Sequence, residues 1–508
     1  MTRMQVVIPM SGVGKRFTDA GYTTIKPLLD VCGRPVIARL LALFPRDWRF
    51  VFICNEEHLK TTELAKVLKE CAPEGRIVSI APHKRGPVHS VLEAKEAIRD
   101  DLPTIINYCD FAFRWNPDAF LSFVEKQRCD GAVLCYRGFH PHYLGNTLYA
   151  YCREENGRIL EIKEKAHFTD DRTKEFASSG SYYFSSGGLA KQYCAKIVEQ
   201  DIHVKGEYYA SLVYNPMIAD GLKVMVYEIP YFLQWGTPQD LEDYLYWHRA
   251  FEKLAESRPS SGTTRLLMPM AGRGSRFAGF EQPKPLIPVS GKPMFLSARR
   301  HLPEAGKPVL VLQREIEERV RSVDPDSEKI VLDDLMAGPA ETIEKALSRL
   351  KSEEPVLVSA CDHGLIWDDP KWREMFVGEP DVVVVGQRGY PGARRAPESF
   401  AYIKVDAKGG FRGASVKKPL SKTPQKDLVL VGTFYFKSVG LLGELIDELK
   451  KKGLKVKGEF YLDSVVELAA KRGLTIRVFE SDAYLNWGDP DSWREFGYWD
   501  RFFRISRL

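Results

Sequence analysis

Val-Val-Ile-Pro-Met-Ser-Gly-Val-Gly-Lys-Arg-Phe runs from Val6 to Phe17, and Leu-Leu-Met-Pro-Met-Ala-Gly-Arg-Gly-Ser-Arg-Phe runs from Leu266 to Phe277. Each is an apolar strand pattern feeding a glycine-rich turn that carries an arginine. Each is followed by Lys-Pro-Leu, at Lys26 and Lys284, and by Val-x-Gly-x-Pro, at Val31–Pro35 and Val289–Pro293. Glycines at such a turn bring main-chain N–H groups close to an anion, and nearby cations neutralise it.

Further landmarks recur in the same order. Gly86-Pro matches Gly338-Pro, the strand ending in Asp110 matches the one ending in Asp362, and aromatic strands surround Gly180 and Gly432. Gly-Glu-Tyr-Tyr at Gly206 matches Gly-Glu-Phe-Tyr at Gly458, and Trp235-Gly-Thr-Pro matches Trp487-Gly-Asp-Pro. These five pairs share an offset of 252 residues; the opening glycines are 260 apart and the lysines 258. The chain is thus a tandem duplication, with expected domains at 1–250 and 264–508 and a Pro/Ser/Gly linker at 251–263.

At 508 residues the chain exceeds one ordinary core, which agrees with the duplication. A net charge of +5 without a Lys/Arg block argues against nucleic-acid binding. No apolar run reaches the roughly 18 residues of a membrane span, and the N-terminus enters a strand without a signal-peptide pattern. Nine cysteines without a Cys-x-x-Cys pair read as reduced thiols, and a cytoplasmic location is expected.

Short apolar runs (6–10, 50–54, 104–108, 309–312, 356–360) alternate with helical spacing, as at Val91–Ile98 and Thr342–Leu350. The expected fold is α/β: in each copy a mixed, mainly parallel twisted sheet flanked by helices. Ligands of such sheets gather at the carboxyl ends of strands, here the loops after Met10, Tyr108, Met270 and Ala360.

Gly12 and Gly14, with Gly272 and Gly274, suit a triphosphate, and Arg16 and Arg276 are spaced to grip phosphate oxygens. The loops are neither Walker A nor a regular Gly-x-Gly-x-x-Gly. Lys26 and Lys284 precede prolines that hold the backbone extended, and can stabilise a leaving phosphate. Asp110 and Asp362 read as Mg²⁺ ligands, with a helix N-cap as the alternative. Lys165 has its counterpart in Lys417 or Lys418 and could bind the phosphate of a second substrate. Glu207 and Glu459 could accept hydrogen bonds from sugar hydroxyls, with surface salt bridges as the alternative. No His-Glu-x-x-His, Gly-x-Ser-x-Gly or kinase signature is present.

This series of motifs resembles the nucleotidyltransferases that make sugar nucleotides, in particular the short branch from bacterial capsule and surface-polysaccharide clusters. The resemblance implies a glycosyltransferase-A-like (nucleotide-diphospho-sugar transferase, Rossmann-like) fold and dependence on Mg²⁺, one per active half. It implies a reaction of an NTP with a phosphorylated sugar or phospho-alcohol that releases pyrophosphate. Arg16 and Lys26 would hold the triphosphate, Asp110 the metal, Gly86 would lie under the base, and Lys165 would hold the acceptor phosphate. Arg276, Lys284, Asp362, Gly338 and Lys417 or Lys418 would do the same in the second half. Many relatives carry a second metal-binding aspartate where this chain has the amides Gln234 and Asn486. The nucleobase is not legible, although related short enzymes lean to CTP, and self-association is left open. Two alternatives stand beside this reading. One is a glycosyltransferase using a finished nucleotide sugar, although Cys-Asp-Phe and Cys-Asp-His lack the first aspartate of a D-x-D motif; the other is one catalytic half with a non-catalytic copy.

Overall fold

The computed structural model describes residues 4–145, 149–256, 264–303 and 305–505. The chain divides into two compact units, Met1–Leu245 and Tyr246–Leu508. The division falls inside the helix Pro238–Glu256, a few residues before the expected boundary. Aromatic packing sets its place: the Tyr246 hydroxyl donates to the Tyr484 carbonyl at 2.9 Å, and Trp247 lies edge-on to Phe496. Of the expected linker, 257–263 lie outside the described residues.

In the first unit the fully buried strand Gln5–Met10 pairs in parallel with Arg49–Asn55 on one side and Thr104–Asn107 on the other. Arg76–Ile80 extends the parallel edge. Beyond Thr104–Asn107 comes Phe176–Phe184, nine buried residues running antiparallel. Gly131–Tyr136, Val224–Glu228, Arg158–Lys163 and Tyr151–Glu155 complete the nine-stranded sheet. Near-continuous apolar runs such as Val-Val-Ile and Phe-Val-Phe-Ile-Cys fit strands covered on both faces. The second unit repeats this order around Thr264–Pro269, with Ala305–Gln313 and Val356–Ser359 as its parallel neighbours and Leu428–Phe436 as the antiparallel insertion.

Strand order reverses at Gln5–Met10, so the crevice between its carboxyl end and that of Thr104–Asn107 is the switch point where ligands bind in open α/β sheets. The glycine loop leaves one of these strands, and Cys109-Asp110 leaves the other.

Three motifs take a form that the sequence did not specify. The helices begin at Pro87 and Pro339, ahead of the apolar spacing, because proline has no N–H to lose at a first helical position. Val-x-Gly-x-Pro is a two-residue hairpin: Cys32 and Gly33 have φ of 52° and 80°, and Ser290 and Gly291 have 51° and 79°. The third concerns Asp110 and Asp362, which do not cap helices. Strands Phe111–Arg114 and His363–Ile366 follow them, and the next helices are capped by Asn116 and Asp368.

Candidate active site

The first glycine loop ends in Gly14, at φ 67°, from which the short helix Lys15–Asp19 departs. Nothing lies within 4 Å of a Cβ placed on Gly12, so the loop borders open space at this position. Phe17 is buried and forms a floor, with Lys26 Nζ 6.0 Å from the ring centroid. Phe277 and Lys284 repeat this at 5.8 Å.

Lys26 Nζ donates to Asp110 Oδ2 at 2.5 Å, and Lys284 Nζ to Asp362 Oδ2 at 2.5 Å. The side chains are about a fifth to a quarter exposed in both pairs, at 22% and 25% and at 19% and 23%. Burial alone would raise the Asp362 carboxyl, yet Lys284 and then His363 hold it well below the usual range. Burial likewise works against the Lys284 charge, and Asp362 overrides it. The second pair is therefore ionised.

A small antiparallel sheet brings the last motif to this spot. Gln234 stands opposite Phe111 and Asn486 opposite His363, while the N–H groups of Trp235 and Trp487 donate to the Asp110 and Asp362 carbonyls at 2.8 Å. A Cβ on Gly236 would lie 3.0 Å from Asp110 Oδ2, and one on Gly488 3.2 Å from Asp362 Oδ2. Glycine here keeps the carboxylate edge clear.

Asp240 is a residue the sequence reading missed. Its Oδ1 accepts from Gln234 Nε2 at 2.7 Å, and its Oδ2 accepts the Thr237 N–H at 3.0 Å. Burial pushes its carboxyl up to about 6. The signal was Thr-Pro-Gln-Asp, a capping box at the head of a helix. The second copy exchanges the two roles, with Asp489 at the cap and Ser492 three residues on, joined by a 2.8 Å hydrogen bond.

Gly86 has φ 89°, and a Cβ there would stand 2.7 Å from the Tyr208 backbone N and O; Gly338, at φ 115°, meets Phe460 in the same way. These glycines let the Gly-Pro segment hydrogen-bond to the segment carrying Glu207 and Tyr209. The Tyr208 N–H donates to the Arg85 carbonyl at 2.9 Å, and the Val88 N–H to the Tyr208 carbonyl at 3.2 Å. Lys205 and Gly206, both at positive φ, turn the chain just before Glu207, and Lys457 and Gly458 do so before Glu459.

Lys165 and Lys417 both sit in the left-handed region, at φ 58° and 55°, and keep the 252-residue offset. Their ammonium groups lie 4.4 Å from the Tyr209 ring and 5.6 Å from the Tyr461 ring. Lys165 donates to the Tyr209 hydroxyl, which donates to Glu207. The matching lysine is thus Lys417; Lys418 is exposed one residue further on. Beside Lys165 stands Glu164, hydrogen-bonded by Ser211 at 2.6 Å and pushed up to about 7 by burial. The same two positions of the second copy hold Val416 and Asp463, so the buried carboxylate has changed sides; burial pushes Asp463 up to about 6.

The first crevice is a cavity of about 510 Å³ lined by Gly12, Gly14, Lys26, Gly86, Asp110 and Glu207, among others. Its counterpart, about 380 Å³, is lined by Gly272, Gly274, Arg276, Lys284, Gly338 and Glu459. Arg16 and Lys165 lie outside the first lining, and Asp362 and Lys417 outside the second. Arg16 is exposed, and its charge acts on Tyr149 and Tyr209.

Among the described residues no group of three or more His, Cys, Asp or Glu is placed to hold a metal. The oxygen donors beside the strand end are the Asp110 carboxylate with the Gln234 amide, backed by Asp240, and the Asp362 carboxylate with the Asn486 amide. That set suits a hard cation shared with substrate phosphates, the usual situation of Mg²⁺.

The family profile described as "MobA-like NTP transferase domain" matches residues 6–170 and again 268–430. Two curated relatives are both titled "Bifunctional protein GlmU". The one from Bartonella quintana is 25% identical over 146 residues, 29% of this chain and 32% of the relative. The one from Desulfotalea psychrophila is 25% identical over 234 residues, 45% and 64% respectively. The chain thus spans about a third and just under two thirds of these relatives. Among solved structures, a nucleoside-diphosphate-sugar pyrophosphorylase from Vibrio cholerae aligns at 22% identity and TM-score 0.39, covering 47% of this chain and 99% of its own. An inositol-1-phosphate CTP transferase from T. maritima aligns at 15% and 0.36, covering 47% and 98%.

Proposed function

The chain belongs to the MobA-like NTP transferase family, whose domain it carries twice, and we propose that it is a Mg²⁺-dependent nucleotidyltransferase acting on a phosphorylated sugar or phospho-alcohol. An oxygen of the acceptor phosphate attacks the α-phosphorus of the NTP. The bond from that phosphorus to the α–β bridging oxygen breaks, and pyrophosphate leaves with the charge. No protein nucleophile is required, so positioning and charge neutralisation carry the rate. The observation that supports this best is the lysine–aspartate pair beside a glycine loop at the switch point, present in both units.

The glycine-loop amides and Arg16 grip the triphosphate. Lys26 turns from Asp110 to the phosphate that departs; Asp110 would hold Mg²⁺, which would supply neutralisation of phosphate charge. Lys165, already joined to Glu207 through Tyr209, takes the acceptor phosphate, and Glu207 accepts from a hydroxyl of its sugar or alcohol part. Arg276, Lys284, Asp362, Lys417 and Glu459 serve the second unit. A biosynthetic role in surface polysaccharide and a cytosolic location belong to the same proposal, the latter supported by cysteines that form no disulfide among the described residues. No helix among the described residues is long and apolar enough to cross a membrane.

Pyrophosphate release from a panel of NTPs and sugar or polyol phosphates with Mg²⁺ tests the reading. Release that requires one NTP and one acceptor together is expected. Nucleotide binding without release on any pair would sink it, and transfer of sugar from a finished nucleotide sugar would replace it.

A further inference from the structure

The two cavities share the lysine of Lys-Pro-Leu, Lys26 and Lys284, and differ in the wall between the glycine loop and the Gly-Pro helix. In the first, Ser11 Oγ lies 2.8 Å from Ser90 Oγ, which lies 2.9 Å from His83 Nε2. All three residues line the cavity, and both serines are buried. His83 Nδ1 accepts the backbone N–H of Arg85 at 3.2 Å, so the neutral ring carries its proton on Nε2. Burial, with His89 next, keeps the imidazole below its usual range and therefore neutral.

Ser11 Oγ also lies 3.4 Å from Nε2, so the three groups form a closed cluster. With Nε2–H given to Ser90, its nearer partner, the Ser90 hydroxyl can donate to Ser11, and in that arrangement the Ser11 proton is left for the cavity. The second copy has no such relay. Ala271 replaces Ser11, Leu335 replaces His83, and Thr342 replaces Ser90 and donates its hydroxyl to the Gly338 carbonyl at 3.1 Å.

We propose that Ser11 is a specificity residue that donates to a carbonyl oxygen of the nucleobase in the first site, held as a donor by Ser90 and His83. The second site lacks this donor, so the two units take different nucleotides. The inference rests on the nucleotidyl-transfer reading. Uracil, cytosine, thymine and guanine offer a carbonyl oxygen, and adenine does not.

The test uses the full chain with the second site silenced by Arg276→Ala and Lys284→Ala together. ATP, CTP, GTP, UTP and dTTP with Mg²⁺, and Mg²⁺-pyrophosphate as a base-free probe, are titrated by calorimetry. ATP is expected to bind more weakly than the preferred nucleotide. Ser11→Ala should raise that nucleotide's Kd about five- to ten-fold, the worth of one neutral hydrogen bond, and leave pyrophosphate unchanged. His83→Leu should lower the same base-discrimination ratio, and His83→Gln, which keeps a donor, should restore it. Alanine and leucine already stand at these places in the second copy, so the fold tolerates them. ATP binding tightest, equal weakening of all nucleotides and pyrophosphate, or no change on Ser11→Ala each overturns the inference. If pyrophosphate is still released while the ratio stays fixed, only the inference falls. If no nucleotide binds to either unit, the nucleotidyl-transfer reading falls with it.

Discussion

Replacing the aspartate of the ion pair should strengthen, not weaken, one kind of binding. Lys284 is bound to Asp362 at 2.5 Å with both side chains about four-fifths buried. At an effective dielectric constant of 20, unit charges at that distance attract by roughly 6–7 kcal/mol. Desolvation offsets most of this, leaving about 1–2 kcal/mol for a partly exposed pair. A phosphate that recruits Lys284 must first forfeit that amount. Asp362→Asn removes the competitor and its negative charge, so metal-free pyrophosphate should bind about five- to thirty-fold tighter, while Mg²⁺-dependent turnover in that unit is lost. Calorimetry in excess EDTA measures the first effect and pyrophosphate release the second. Asp110→Asn is an internal replicate, since Lys26 and Asp110 have the same separation and similar exposure. Lys284→Met combined with Asp362→Asn should erase the gain. Unchanged or weaker metal-free binding in both Asp→Asn variants would refute the competition between carboxylate and phosphate for the lysine.

Arg16→Ala and Arg276→Ala, made separately, should each lower turnover of their own unit about 100-fold; loss of all pyrophosphate release from one change alone would mean that only that unit turns over. Gly86→Ala should lower stability by about 2–4 kcal/mol, because its Cβ meets the Tyr208 backbone and its φ is positive. Gly12→Ala, in open space, should leave the thermal midpoint alone and weaken triphosphate binding; the opposite ranking would contradict both assignments. Glu164 is held up at about 7 by burial, against about 4.5 when unfolded. The folded chain keeps this proton longer, so stability falls as pH rises from about 4.5 and levels off above about 7. Glu164→Gln should therefore gain on the parent chain across that window by on the order of 3 kcal/mol, read from urea midpoints; parallel profiles would reject the buried carboxyl.

What could be read from the chain alone was local in sequence. The glycine loop, Lys-Pro-Leu and the strand ending in aspartate are contiguous signals, and the duplication removed most of the chance of coincidence. The Lys26–Asp110 bond joins residues 84 apart and follows from strand order, which no spacing encodes. Lys417 is the lysine that keeps the 252-residue offset, and its left-handed φ, shared with Lys165, separates it from Lys418. Asp240 carried a visible capping-box signal but no hint that its carboxylate reaches Gln234. The hairpin at Cys32-Gly33 was legible as a turn and was counted among the family motifs instead. His83 and Ser90 had no motif of their own; the hydrogen bonds that join them to Ser11 set them apart from Leu335 and Thr342.

The carboxylate that changed sides constrains how one unit could be converted into the other. Glu164 with Ser211, and Val416 with Asp463, each place a single buried acid beside the phosphate-site lysine. Every one-residue step between the two arrangements passes through a pocket with either no acid or two. The first removes the hydrogen-bonding carboxyl beside the lysine, and the second crowds two carboxyls into a desolvated space. The two acceptor pockets are therefore separate solutions with a barrier between them, and transplanting specificity from one unit to the other requires exchanging both residues at once.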